Sequence, residues 1–291
     1  MKKRSSPGRQ KGIEKVKLHS KTVLLCLGVA LGICLTVYPL LASRASDRAA
    51  GSVTADYREE AQTRTDTAAQ LADAEAWNAM LAEAVTNHTD TPAGYEDLLW
   101  LTEDGMMGYV SIPKIGIELP IYHGTSTGVL EKGVGHLPTT SLPVGGESTH
   151  AVLSAHSGMS GARMFTDLEQ LSVGDLFTVR VLDRELTYQV DHIATVLPQE
   201  TALLEIQAGE DLCTLVTCTP YGVNTHRLLV RGRRVEAAEV PQDTIPAQQE
   251  AAPSTWAQKY LLYIAVGTAV GLITGGILLF LKIKNTKKQG R

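Results

Sequence analysis

Apolar positions along this chain change their spacing in blocks, and each block predicts a different element. Residues 22–42 and 260–281 are unbroken apolar runs of about the length that crosses a bilayer as a helix. From Ser43 to His88 the apolar residues Ala69, Leu71, Ala74, Ala76, Trp77, Met80, Leu81 and Ala84 recur three or four apart, which predicts an amphipathic helix. Thr89-Asp-Thr-Pro-Ala-Gly94 breaks it. A short helical turn follows over 95–101, closed by Asp104-Gly105. The pattern then shortens to extended runs at 108–112, 118–122, 149–155, 176–181, 185–196, 212–217 and 226–231, with one short helix at 164–168. Many short strands between Gly and Pro turns predict a mostly β, closed or nearly closed barrel. Beyond Val235 the chain turns rich in Pro and Gln, the composition of a disordered tether.

These blocks divide the chain into a tail (1–21), a first span (22–42), a helical stalk (43–94), a β domain (95–235), a tether (236–259), a second span (260–281) and a second tail (282–291). Charge orients them. The tails hold 13 of the 27 basic residues and only Glu14 of the 31 acids, leaving 14 bases against 30 acids between them, about −16. Positive tails beside apolar spans put both termini in the cytoplasm and the β domain outside the cell membrane. They also speak against a nucleic-acid partner. Small residues at Leu41-Ala-Ser-Arg-Ala45 leave cleavage of the first span as the alternative to an uncleaved anchor. Gly28 and Gly32 in one span, and Gly267, Gly271 and Gly275 in the other, are spaced for close helix packing. The stalk is either a solvated spacer or a docked helix, and Trp77 favours docking.

Chemistry enters through the cysteines. Cys26 and Cys34 lie in the first span as small apolar residues. Cys213 and Cys218 sit five apart on one strand, so they face opposite sides and cannot bridge. Cys218 ends that strand, and the returning strand brings Arg227 back beside it. A thiol needs a base or cation to react as thiolate, and His156, closing the apolar run 151–155, is the candidate base. His123, His136, His150, His192 and His226 compete for that role, but His192 lies on a polar strand and His226 alternates with Arg227. No Cys-x-x-Cys or His-x-x-x-His pair marks a metal site, so neither metal nor cofactor is expected.

At Thr214-Leu-Val-Thr-Cys218, with Arg227 on the next strand, the sequence resembles the sortases, cysteine transpeptidases of Gram-positive cell surfaces. The strings Thr217-Cys-Thr-Pro-Tyr-Gly-Val-Asn-Thr-His-Arg227, Met107 to Thr125 and Gly133-Val-Gly-His-Leu-Pro138 resemble the class C, pilus-building branch. The resemblance covers about Tyr95 to Val235. It implies an eight-stranded barrel with Cys218 as nucleophile, His156 as general acid and base, and Arg227 as oxyanion support. It further implies cleavage of a Leu-Pro-x-Thr-Gly-like sorting signal and transfer of the threonine carbonyl to a pilin lysine. The alternatives are a housekeeping-type enzyme, which anchors surface proteins to the cell-wall precursor, and a non-catalytic surface adaptor. An L,D-transpeptidase fits less well, because its Arg follows the Cys within two or three residues, not nine. Class C members usually carry an Asp-Pro-aromatic lid ahead of the barrel. Here the nearest string is Asp90-Thr91-Pro92-Ala93, leaving Trp77 or Trp100 as aromatics to cover the cleft, and Ser157 stands where the family often has Arg.

Overall fold

The structure is a computed structural model that describes residues 37–38, 41–159, 161–236, 264–265 and 268. The tails, the tether after residue 236, Cys26, Cys34 and nearly all of both expected spans lie outside the described residues. Among those residues no helix is long and apolar enough to cross a membrane.

Eight strands close into a barrel. They are β1 (Met106–Ile112), β2 (Ile117–His123), β3 (Val134–His136), β4 (Thr149–Ser154), β5 (Leu176–Val181), β6 (Arg184–Val196), β7 (Asp211–Thr219) and β8 (His226–Val235). Around the barrel they run β1-β2-β3-β4-β7-β8-β6-β5. Most neighbours are antiparallel, but β2 pairs parallel with β3 and β4 with β7. Seven strands fall where the extended runs placed them. The eighth, β3, is only three residues long and too short to show a period. Closure leaves the barrel without a free sheet edge.

Side chains from alternate strand positions fill the barrel: Val110, Ile112, Ile121, Phe177, Val179, Leu215 and Val230 are wholly buried. Strands β4, β7 and β8 are apolar on their outer face as well. There Val152, Val216 and Leu229 form a separate cluster, flanked by Leu137, Val196, Leu203 and Leu204. A strand buried on both faces reads as a nearly continuous apolar run, as Leu212 to Val216 does but for Thr214, whose hydroxyl is taken by His150.

The expected stalk is two helices. The first, α1, covers 41–63; a break at 64–66 precedes α2 (Thr67–Asn87). The break is held by Arg64, which pairs with Asp66 at 3.0 Å and donates to Leu101 O at 2.9 Å. Neither helix is a spacer. In α1 the Tyr57 hydroxyl donates to Met107 O and accepts from Leu182 N, joining β1 to the turn after β5. The buried face of α2 is Leu71, Ala74, Trp77, Asn78, Leu81 and Ala84, whereas Ala69, Ala76 and Met80 of the expected stripe face solvent. Burying Leu71 and Leu81 contributes roughly 1.5–3 kcal/mol each. Asn78, invisible to an apolar pattern, is 3% exposed and holds the loop between β3 and β4 by two bonds, Nδ2 to Leu142 O and Leu142 N to Oδ1.

The helix expected at 164–168 is a run of turns ending in one 3-10 turn, Leu168–Gln170. Met164, at its expected start, is left-handed at φ +43°, and Phe165 N donates to His156 O at 3.0 Å, so no α-helix begins there. The turn expected at 95–101 is a single 3-10 turn, Tyr95–Asp97.

Candidate active site

Strand register assembles the site. Cys218 on β7 lies directly opposite Arg227 on β8, one pair beyond Val216 and Leu229 on the same face. Cys213 and Leu215 belong to the barrel interior, so the alternation that buries them turns Val216 and Cys218 outward. The two thiols therefore occupy opposite faces, Cys213 buried and Cys218 half-buried. Burial pushes the Cys213 thiol well above its ordinary pKa, which keeps it protonated and inert.

His156 reaches this face through the parallel pairing. Ser154 is opposite Val216, and the ladder continues as Ala155 N donates to Val216 O at 3.1 Å and Thr217 Oγ1 to Ala155 O at 2.8 Å. Two residues further along each strand stand His156 and Cys218. The chain then folds back: Phe165, fully buried, donates its amide to His156 O, and Gly158 N donates to Thr166 Oγ1. Those bonds fix the backbone that carries the imidazole. Gly158 has φ +77°, and a Cβ there would meet the Tyr221 ring at 2.9 Å. Only glycine lets the turn after Cys218 close against the loop after His156.

Arg227 Nη1 donates to the carbonyls of His226 (3.1 Å) and Asn224 (3.3 Å), and no carboxylate of the described residues pairs with it. Its charge thus stays available beside Cys218. No hydrogen bond joins the His156 ring to the Cys218 thiol. Catalytic contacts are often loose until substrate binds.

Of the rival histidines, His136, His123 and His150 have structural roles. His136 is fully buried, with Nε2 2.8 Å from Ser141 O and Nδ1 2.9 Å from the Tyr95 hydroxyl; burial pushes its pKa down to about 4. His123 lies between Gly105 O and Leu98 O. His150 bridges Glu205 O and Thr214 Oγ1, while His192 is exposed as expected.

Neither tryptophan covers the cleft. Trp77 is 1% exposed, packed against Tyr95, and Trp100 stacks on His123 with its ring against Gly105. The part of α1 that nears the site is its first two turns. Asp47 lies 3.7 Å from Arg163, and Ala42 packs at Gly161, both in the loop after His156. What the sequence did not show is the apolar shelf of Val152, Val216 and Leu229. Its signal was the lack of polar alternation in β7.

A thiol, an imidazole and an unpaired guanidinium on one row of a barrel's outer face define a candidate cysteine acyl-transfer site. Residues 110–235 match the family model for the sortase domain. Sortase D of Bacillus subtilis (strain 168) is 33% identical over 131 residues, covering 44% of this chain and 63% of that protein. Across the curated relatives the matched segment spans 55–63% of their length. The crystal structure of Streptococcus pneumoniae sortase C, described as giving insights into catalysis and pilin substrate specificity, is 42% identical, with a TM-score of 0.58, covering 64% of this chain and 97% of that one. Clostridium perfringens sortase C, solved with the C-terminal cell wall sorting motif, is 43% identical, with a TM-score of 0.56, covering 64% and 100%. The chain belongs to the sortase family of cysteine transpeptidases, and it is similar to class C sortases among solved structures.

Proposed function

We propose that the chain is a membrane-anchored pilus-type transpeptidase in which Cys218 is the nucleophile, His156 the proton carrier and Arg227 the oxyanion support. The observation that carries this reading is the shared outward row of those three residues above an apolar shelf. A Leu-Pro-x-Thr-Gly-like signal lays its leucine and proline against the half-buried Leu203 and Leu204, which cap the buried Val152, Val216 and Leu229, and this brings the Thr–Gly carbonyl over Cys218. The thiolate adds to that carbonyl. The C–N bond then breaks, His156 gives the departing glycine amine its proton, and a thioester remains on Cys218. A lysine amine adds to the thioester and yields its proton to His156. An amide forms, and the thiol leaves with its hydrogen restored. Arg227 meets the negative oxygen of both tetrahedral intermediates, a contribution on the order of 3 kcal/mol in comparable sites.

The acceptor is a pilin lysine, in keeping with the pilin and sorting-motif relatives described above. The spans at 22–42 and 260–281 hold both termini in the cytoplasm and the barrel outside the cell. The test is incubation of the full chain with a Leu-Pro-Ala-Thr-Gly peptide and a lysine-bearing pilin domain, read by mass spectrometry. The expected product is an isopeptide-linked conjugate with release of glycine. A folded enzyme that releases glycine, leaves the pilin lysine unlinked and transfers only when a cell-wall precursor amine is added would show the anchoring activity instead.

A further inference from the structure

Between β6 and β7 the connection 197–210 runs beside the candidate site, and its Leu203 and Leu204 pack on the shelf of Val152, Val216 and Leu229. Further on it is tied to the barrel by Gly209 N donating to Ser148 Oγ and Thr149 N donating to Glu210 O. Neither tie reaches the two leucines. The bond that does comes from His150 on β4, a wholly buried side chain.

His150 Nδ1 lies 2.9 Å from the carbonyl of Glu205, the residue that ends the 3-10 turn Ala202–Leu204. Its Nε2 lies 2.7 Å from Thr214 Oγ1 on β7. A carbonyl only accepts, so Nδ1 carries the hydrogen and Nε2 accepts the Thr214 hydroxyl proton. Both nitrogens of a neutral imidazole are then satisfied. Burial lowers the pKa of His150 and favours that neutral form, as does Arg231, which is opposite Thr214 and paired with Asp191.

We infer that His150 is a specificity-positioning residue: through Glu205 it sets where Leu203 and Leu204 stand over the buried Val152, Val216 and Leu229, and so the apolar surface those two leucines present beside Cys218. The inference rests on Leu203 and Leu204 receiving the apolar part of the sorting signal. His150 itself touches neither the substrate nor the reacting atoms. Its loss therefore weakens peptide binding and leaves the chemical step alone.

Steady-state kinetics of the full chain with a Leu-Pro-Ala-Thr-Gly peptide test this, beside the rate at which iodoacetamide alkylates Cys218. His150→Ala is expected to raise KM about five- to tenfold, from loss of a buried hydrogen-bonded strut, with kcat and the alkylation rate within about twofold. His150→Asn keeps an N–H at the Nδ1 position and should recover most of that KM. His150→Gln, which reaches toward Thr214 instead, should recover less. Hydrogen exchange over 197–210 should follow the same order, fastest in the Ala variant, and needs no substrate. The inference is overturned if Asn rescues no better than Gln, if kcat falls while KM holds, or if exchange over 197–210 is unchanged. A folded wild type that turns over no sorting peptide refutes the functional reading instead, and this inference with it.

Discussion

Asn78→Ala tests whether the two N-terminal helices are part of the catalytic fold. Asn78 sits 3% exposed on α2 and exchanges two hydrogen bonds with the main chain of Leu142, itself wholly buried. Leu142 O also accepts from Val144 N, so it keeps a partner when Asn78 is cut back. Leu142 N has only Oδ1 and becomes a buried, unpaired donor. That orphan costs about 1–3 kcal/mol, and with the lost carbonyl bond and the vacated volume the total is about 2–3 kcal/mol. For a domain of this size the melting temperature should drop by about 4–12 °C. The assay is urea unfolding followed by tryptophan fluorescence, for which Trp77 in the same interface is a built-in reporter. Asn78→Leu refills the volume but leaves the amide unpaired, so it should recover less than half of the loss. A change under about 0.5 kcal/mol for Asn78→Ala, or full recovery by Leu, would refute the reasoning. In the native state the alkylation rate of Cys218 should stay within about twofold, because α2 braces the barrel and does not cover the site.

Two further predictions concern charge. Arg227→Lys keeps a cation but loses the planar fork of donors, so kcat should fall by about 100-fold with KM changed less than about threefold; an unchanged kcat removes Arg227 from the oxyanion role. His136 stays neutral in the fold because burial pushes it down to about 4, whereas the unfolded chain takes up that proton near 6.5. Stability from this group is therefore whole above about pH 6.5 and is lost as pH falls toward 4, on the order of 3 kcal/mol across the window. His136→Gln should flatten that part of the stability profile; an equally steep profile would show that other groups cause it.

Strands and barrel were legible in the sequence because period-two runs and glycine turns are local signals. β3 was not, since three residues carry no period and it forms only because β2 and β4 supply its partners. The stalk was read from the spacing of its apolar residues. Its docking depended on Asn78, Tyr57 and Arg64, polar groups whose value lies in main-chain partners far along the chain. The opposite faces of Cys213 and Cys218 followed from strand alternation and hold. Trp77 favoured a docked helix and is buried in that interface, whereas neither it nor Trp100 covers the cleft, because a large aromatic signals burial without saying where. His150 was weighed only as a rival base, since nothing local to Thr149-His-Ala151 shows that a carbonyl fifty-five residues away completes it.

The central claim is that Cys218, on the outer face of β7, carries the acyl group. Its most direct measurement is intact-protein mass spectrometry of the full chain mixed with a Leu-Pro-Ala-Thr-Gly peptide and quenched in acid, followed by mapping of the modified peptide. The account predicts a thioester adduct on Cys218, absent in Cys218→Ala and retained in Cys213→Ala. An adduct on Cys213, or equal loss of capture in both variants, would contradict it.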